Sequence, residues 1–131
     1  MKKPLFTGVC TALVTPFLDD KVNLPMVEML IKRQIDAGIP AVVLAGTTGE
    51  SATLTDIEKI ELFRRGKEYA ANNCIIIAGT GSNSTSHAIE LSQAAEEAGA
   101  LEVVCDFCGQ VYRYTPQEVV GLFQTGDETQ H

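Results

Sequence analysis

Ala41-Val42-Val43-Leu44-Ala45, followed at once by Gly46-Thr47-Thr48-Gly49-Glu50, is an unbroken apolar run that ends in a turn of small residues with two adjacent hydroxyls. A run with no polar alternation predicts a strand buried on both faces, the pattern of a parallel sheet. In α/β proteins substrates gather outside the carboxyl ends of parallel strands, where loop N–H groups and short side chains converge on an anionic group. The turn therefore reads in two ways. It is either a seat for a carboxylate or phosphate, or a tight strand-to-helix connection whose glycines supply positive φ and whose hydroxyls cap a helix.

Similar apolar runs stand at Val9–Val14, Cys74–Ala78 and Leu101–Cys105, and helix patterns fill the intervals. The first helix, from about Pro25 to Ala37, carries Val27, Leu30, Ile31 and Ile35 on one face and stops at Gly38. The second opens on the capping box Thr55-Asp56-Ile57-Glu58, after which Ile57, Ile60 and Phe63 predict an inward stripe. The third runs from near Ser84 to Gly99. The first strand starts lie roughly 32 and 33 residues apart, the length of a βαβ unit, which predicts serial β/α construction. The loop after the third strand, Gly79-Thr80-Gly81-Ser82-Asn83, repeats the small-residue theme.

A formal charge of -7, from 10 basic and 17 acidic residues, argues against a nucleic-acid surface, which needs clustered Lys and Arg. No apolar run approaches the roughly 20 residues of a membrane span, and the first residues lack a signal peptide's apolar region. A cytoplasmic protein is expected. Cys10 and Cys74 lie in apolar runs and read as small buried hydrophobes, whereas Cys105 and Cys108 form a Cys-x-x-Cys. His87 reads as a solvated residue on a polar helix face, and Gly126–His131 as a frayed tail.

Three motifs in order, Thr11-Ala12-Leu13-Val14-Thr15-Pro16-Phe17, Gly46-Thr47-Thr48-Gly49-Glu50-Ser51 and Ile77-Ala78-Gly79-Thr80-Gly81-Ser82-Asn83, resemble the 4-hydroxy-tetrahydrodipicolinate (dihydrodipicolinate) synthases over residues 5–99. The resemblance implies a partial (β/α)8 TIM barrel of α/β class: about three βα units plus a fourth strand, with residues 1–99 as a truncated synthase-like domain. It also implies a class I aldolase-type lyase of lysine biosynthesis that uses no cofactor. Pyruvate forms a Schiff base with a strand-end lysine, and its enamine attacks aspartate semialdehyde. Thr47 and Thr48 match the adjacent threonines that hold the pyruvate carboxylate, and Thr47 also matches the catalytic hydroxyl of a Tyr-Thr-Tyr proton relay. Ser51, Ala52 and Asn83 match positions near a lysine feedback site. Asp56, Lys59 and His87 stand where inhibited members carry two histidines and a glutamate.

Two departures follow. A Schiff-base lysine needs a desolvated place at a strand end, yet Lys2, Lys3, Lys21, Lys32, Lys59 and Lys67 fall in the N-terminal segment, a loop or helices. The relay tyrosines are missing too, since Cys105-Asp106-Phe107-Cys108 replaces the family's Thr-Pro-Tyr-Tyr. An inactive chain is expected. Residues 101–123, with Cys105, Cys108, Tyr112, Tyr114 and a capping box at Thr115–Glu118, resemble the C-terminal zinc segment of the redox-regulated heat-shock chaperonin of bacteria. That implies a Cys-x-x-Cys β-hairpin and helix, a chaperonin-like tail over residues 100–131, and Cys105 and Cys108 as half of a four-thiolate zinc site. Structural zinc takes four ligands, and the second Cys pair of that family is absent. Three readings result: a synthase, a zinc-binding redox-sensing fragment, or a non-functional fusion or assembly product. An open barrel fragment exposes strand edges, so self-association or aggregation is expected.

Overall fold

In a computed structural model, residues 3–98 are described throughout, together with the strand residues 102–104 and 111–113. The chain runs β1 (Cys10–Ala12), β2 (Phe17–Leu18), β3 (Lys21–Val22), α1 (Leu24–Asp36), β4 (Ala41–Leu44), α2 (Asp56–Ala70), β5 (Ile75–Ala78), α3 (Thr85–Glu97), β6 (Glu102–Val104) and β7 (Val111–Arg113). The main sheet has the order β1-β4-β5-β6-β7. Its first four strands are parallel, in register Cys10 with Ala41, Ala41 with Ile75, and Ala78 with Val103. A strand order that follows the sequence, with a helix in each crossover, is the serial β/α construction the spacing predicts. β7 breaks the series by pairing antiparallel with β6. Cys105 and Cys108 with the hairpin turn expected there, the expected helix after Thr115 and the boundary at 99–100 lie outside the described residues.

Each helix starts where a side-chain oxygen can take a free N–H. Asn23 accepts from Met26 at the head of α1, and Ser84 from His87 at the head of α3. At α2 the expected capping box forms in full: Glu58 N–H donates to Thr55 Oγ1, and the Thr55 N–H donates to Glu58 Oε2 at 2.8 Å. The core joins Val42, Leu44, Ile76 and Ala78 of the sheet to Val27, Ile31, Leu62, Phe63 and Ala95 of the helices. Helix α2 is central, packed against α1, α3, β4 and β5.

The inward stripe of α2 differs from the expected one. Its buried residues are Lys59, Leu62, Phe63, Gly66 and Ala70, whereas Ile57 is 82% exposed. Ile57 stands two residues before Lys59, about 200° round the helix, so it faces away once Phe63 and Gly66 are set against the sheet. Sequence reasoning also misses the hairpin β2–β3. Its turn residues Asp19 and Asp20 both adopt positive φ, 50° and 59°, a conformation more often marked by Asn-Gly.

The exposed face of α2 carries carboxylates whose acidity is tied to folding. The Thr55 cap holds the Glu58 carboxyl below its ordinary pKa, and hydrogen bonds from Arg64 and Arg65 do the same for Glu61. A folded pKa below the unfolded one contributes stability that is present above about pH 4.3 and is lost as pH falls through the folded values. The urea midpoint is therefore expected to be flat near neutral pH and to drop below about pH 4.3, with a shallower drop in a Glu58→Gln, Glu61→Gln double variant.

Candidate functional site

Three strand-end loops meet at the carboxyl edge of the sheet. After β1, Thr15 is 5% exposed and donates its hydroxyl proton to the Gly49 carbonyl at 2.6 Å, across 34 positions of sequence. After β5, the Gly79 N–H donates to the Leu44 carbonyl at 2.8 Å. Gly79 is also in direct backbone contact with the turn: a Cβ built on it would stand 2.6 Å from the Ala45 carbonyl carbon and 2.8 Å from the Gly46 nitrogen. Thr80, 1% exposed, fixes the same loop to α3, its hydroxyl 2.9 Å from that of Ser92. Sequence reasoning did not single out Thr15 or Thr80; the Thr-Pro pair at 15–16 and the Gly-Thr pair at 79–80 were the available signals.

Between these supports the Gly46–Glu50 turn is closed by its own backbone. Gly49 N–H donates to Gly46 O at 3.0 Å, Glu50 N–H to Thr47 O at 3.1 Å and Ser51 N–H to Gly46 O at 3.3 Å. Ala45 enters the turn with φ 51° and Glu50 leaves it with φ 56°. Left-handed backbone at a non-glycine residue costs on the order of 1 kcal/mol, and buried Ala45 has no polar side chain to offset it. Thr47 and Thr48 are exposed at the tip. Among the described residues, neither their N–H groups nor their hydroxyls have a hydrogen-bond partner. The turn thus presents two N–H donors and two hydroxyls, the donor set that a small carboxylate takes up.

The other residues singled out from the sequence group around the head of α2. Ser51 and Ala52 lie in a 3-10 turn, Ser51–Thr53, directly after the threonines, and Asn83 is exposed in the loop before α3. No hydrogen bond among the described residues joins Asn83 to Ser51 or Ala52. His87 is not merely solvated. Its Nε2 lies 2.8 Å from Asp56 Oδ2, 31 residues away, and its Nδ1 lies 3.1 Å from Ser82 Oγ, so the imidazole ties the head of α2 to that of α3. Lys59, expected on a helix face, is only 7% exposed. It sits in the first turns of α2 rather than on a strand. Lys3, Lys21, Lys32 and Lys67 are exposed. Cys74 is buried and desolvation raises its thiol pKa, as suits a small hydrophobe. No group of three or more His, Cys, Asp or Glu is gathered as for a metal among the described residues. No helix among them is long and apolar enough to cross a membrane.

The model of the dihydrodipicolinate synthetase family matches residues 5–106, so the match takes in the three strand-end loops and helices α1, α2 and α3. The chain belongs to that family. The 4-hydroxy-tetrahydrodipicolinate synthase of Acetivibrio thermocellus is 45% identical over 100 residues, 76% of this chain and 34% of that protein. That of Desulforudis audaxviator is 41% identical over 122 residues, 91% of this chain and 40% of that protein, a match that runs on past Leu101. Among solved structures, dihydrodipicolinate synthase from Aquifex aeolicus superposes with a TM-score of 0.74 at 38% identity, over 76% of this chain and 34% of that one. The parallel α/β unit is thus part of a dihydrodipicolinate synthase barrel, and the chain spans about a third of the length of the curated relatives it matches.

Proposed function

We propose that residues 3–98 supply the carboxylate-binding side of a pyruvate site, and that the covalent part of a 4-hydroxy-tetrahydrodipicolinate synthase site is not carried by these 131 residues. The observation behind this reading is the pair Thr47 and Thr48, whose N–H groups and hydroxyls have no partner among the described residues, at the carboxyl end of β4. The turn receives the pyruvate carboxylate without metal or cofactor. Schiff-base formation, and the aldol step with aspartate semialdehyde that depends on it, then require a lysine and two tyrosines from further strands. Ser51, Ala52 and Asn83 remain as borders of a lysine-binding cleft. The Asp56–His87 pair engages two of the polar groups there, which favours an unregulated form.

The test is a pyruvate titration followed by amide resonances. Saturable shifts are expected at Thr47, Thr48 and the neighbouring glycines, and lactate, which keeps the carboxylate, is expected to shift the same amides. An unchanged spectrum at high pyruvate sinks the reading.

A second reading concerns the segment from residue 100 onward, as a fused zinc segment with Cys105 and Cys108 as a half-site. It is favoured by the end of the family match at residue 106 and by the antiparallel β7, where a barrel would continue in parallel. The longer Desulforudis match weighs against it. Elemental analysis decides: one zinc per two chains supports a shared site of two Cys pairs, and metal-free protein after purification in zinc-containing buffer removes it.

A further inference from the structure

Thr15 stands outside the Gly46–Glu50 turn, yet an unbroken series of hydrogen bonds joins its hydroxyl to the tip. The hydroxyl donates to the Gly49 carbonyl at 2.6 Å, and both residues are buried. That carbonyl belongs to the peptide group whose N–H is carried by Glu50, and the Glu50 N–H donates to the Thr47 carbonyl at 3.1 Å. The Thr47 carbonyl in turn shares its peptide group with the Thr48 N–H, which has no partner among the described residues. In a planar trans peptide the C=O and N–H point in opposite directions, so a carbonyl bound on the inner side aims its N–H outward. The series thus runs from a buried hydroxyl, through two peptide groups, to a donor at the exposed tip.

The Thr47 N–H ends a separate series. Its peptide carbonyl, that of Gly46, accepts from the Gly49 N–H at 3.0 Å and the Ser51 N–H at 3.3 Å. The carbonyl that shares a peptide group with the Ser51 N–H is that of Glu50, and it accepts both the N–H and the hydroxyl of Thr53 at 2.9 Å. We infer that Thr15 is a positioning residue for the bound carboxylate, fixing and polarising the Thr48 N–H, while the Thr47 N–H is served from within the turn and its 3-10 extension. The inference rests on the pyruvate reading above. Hydrogen bonds in series polarise one another, so a donor at the inner end strengthens the donor at the outer end. The Gly49–Glu50 peptide is also tied at both ends, by Thr15 and by Thr47, next to the left-handed Glu50 at φ 56°. Its plane cannot turn without breaking a bond. A donor held in this way binds without the cost of being ordered.

Pyruvate titrations of wild type, Thr15→Val and Thr15→Ser, with the Thr47 and Thr48 amides followed separately, test this. Valine keeps the branched shape and deletes the hydroxyl, and serine keeps the hydroxyl. Thr15→Val is expected to bind pyruvate about tenfold more weakly, the upper range for one hydrogen bond. Its Thr48 shift at saturation is expected to shrink relative to that of Thr47, and Thr15→Ser is expected to restore both. Thr53→Val removes a hydroxyl from the separate series and leaves the Thr53 N–H on the same carbonyl, so the Thr48 shift is expected to keep its wild-type size. A readout that needs no variant is the scalar coupling across the hydrogen bond from Glu50 N–H to the Thr47 carbonyl, which is expected to grow as pyruvate binds. A wild-type chain that does not respond to pyruvate removes the pyruvate reading and this inference with it. Where wild type binds, unchanged affinity in Thr15→Val, equal shrinkage at Thr47 and Thr48, serine no better than valine, or a coupling indifferent to pyruvate overturns this inference alone.

Discussion

Gly79→Ala is expected to destabilise the chain by about 3 kcal/mol, the upper part of the range for overpacking, and to disorder the Thr47–Thr48 turn with it. The added methyl would meet backbone rather than side chain, 2.6 Å from the Ala45 carbonyl carbon and 2.8 Å from the Gly46 nitrogen. A flexible neighbour could swing aside, but Ala45 and Gly46 are backbone that follows directly on Leu44, the last residue of the β4–β5 ladder, whose carbonyl accepts the Gly79 N–H. Relief requires β5 to move away from β4, which breaks that ladder. A urea melt measures the loss, and the Thr47 and Thr48 amide shifts report the turn. A variant within about 0.5 kcal/mol of wild type would mean that the loops are not in backbone contact. Gly66→Ala offers a comparison. There the added methyl would run into the end of the Leu44 side chain, which can rotate, so a smaller loss is expected.

The second large effect concerns the ligand. Replacing Thr47 and Thr48 together by valine keeps both N–H donors and the branched shape but deletes both hydroxyls. A hydrogen bond to a charged group contributes about 1.5–3 kcal/mol, so the double variant, which loses two, is expected to lose pyruvate affinity by at least about a hundredfold, read in the amide titration as shifts that no longer saturate. Both threonines are exposed, and neither hydroxyl is used within the described structure, so stability is expected to stay within about 0.5 kcal/mol. The split separates the turn's binding role from its role as a strand-to-helix connection. Unchanged affinity in the double variant would leave only the connection.

What could be read from the sequence was whatever leaves a local pattern. The continuous apolar runs at 41–45 and 74–78 predict the two central strands, which form over Ala41–Leu44 and Ile75–Ala78. The Thr55–Glu58 capping box marks the head of α2 to the residue. The face of that helix was less legible, because the residue that opens its buried stripe is Lys59, read as polar, while Ile57 is apolar and exposed. Gly66 was the missing clue, a helical glycine where Leu44 comes close. Contacts between distant residues left no local trace. Thr15 reaches Gly49 and His87 reaches Asp56 only because parallel strands and their helices stand side by side. The candidate threonines were visible as a small-residue turn, but their open hydrogen-bonding groups required the loop geometry.

The central claim is that the pyruvate-binding turn is present and the Schiff-base lysine is not. The most direct measurement is to incubate the chain with pyruvate, reduce it with borohydride, and locate any adduct by intact and peptide mass spectrometry. The account predicts an unmodified chain, since the lysines at 3, 21, 32 and 67 are exposed and Lys59, buried, is placed within α2 rather than on a strand. A stoichiometric pyruvate adduct on a single lysine, Lys59 above all, would contradict it and make these residues a covalent catalyst in their own right.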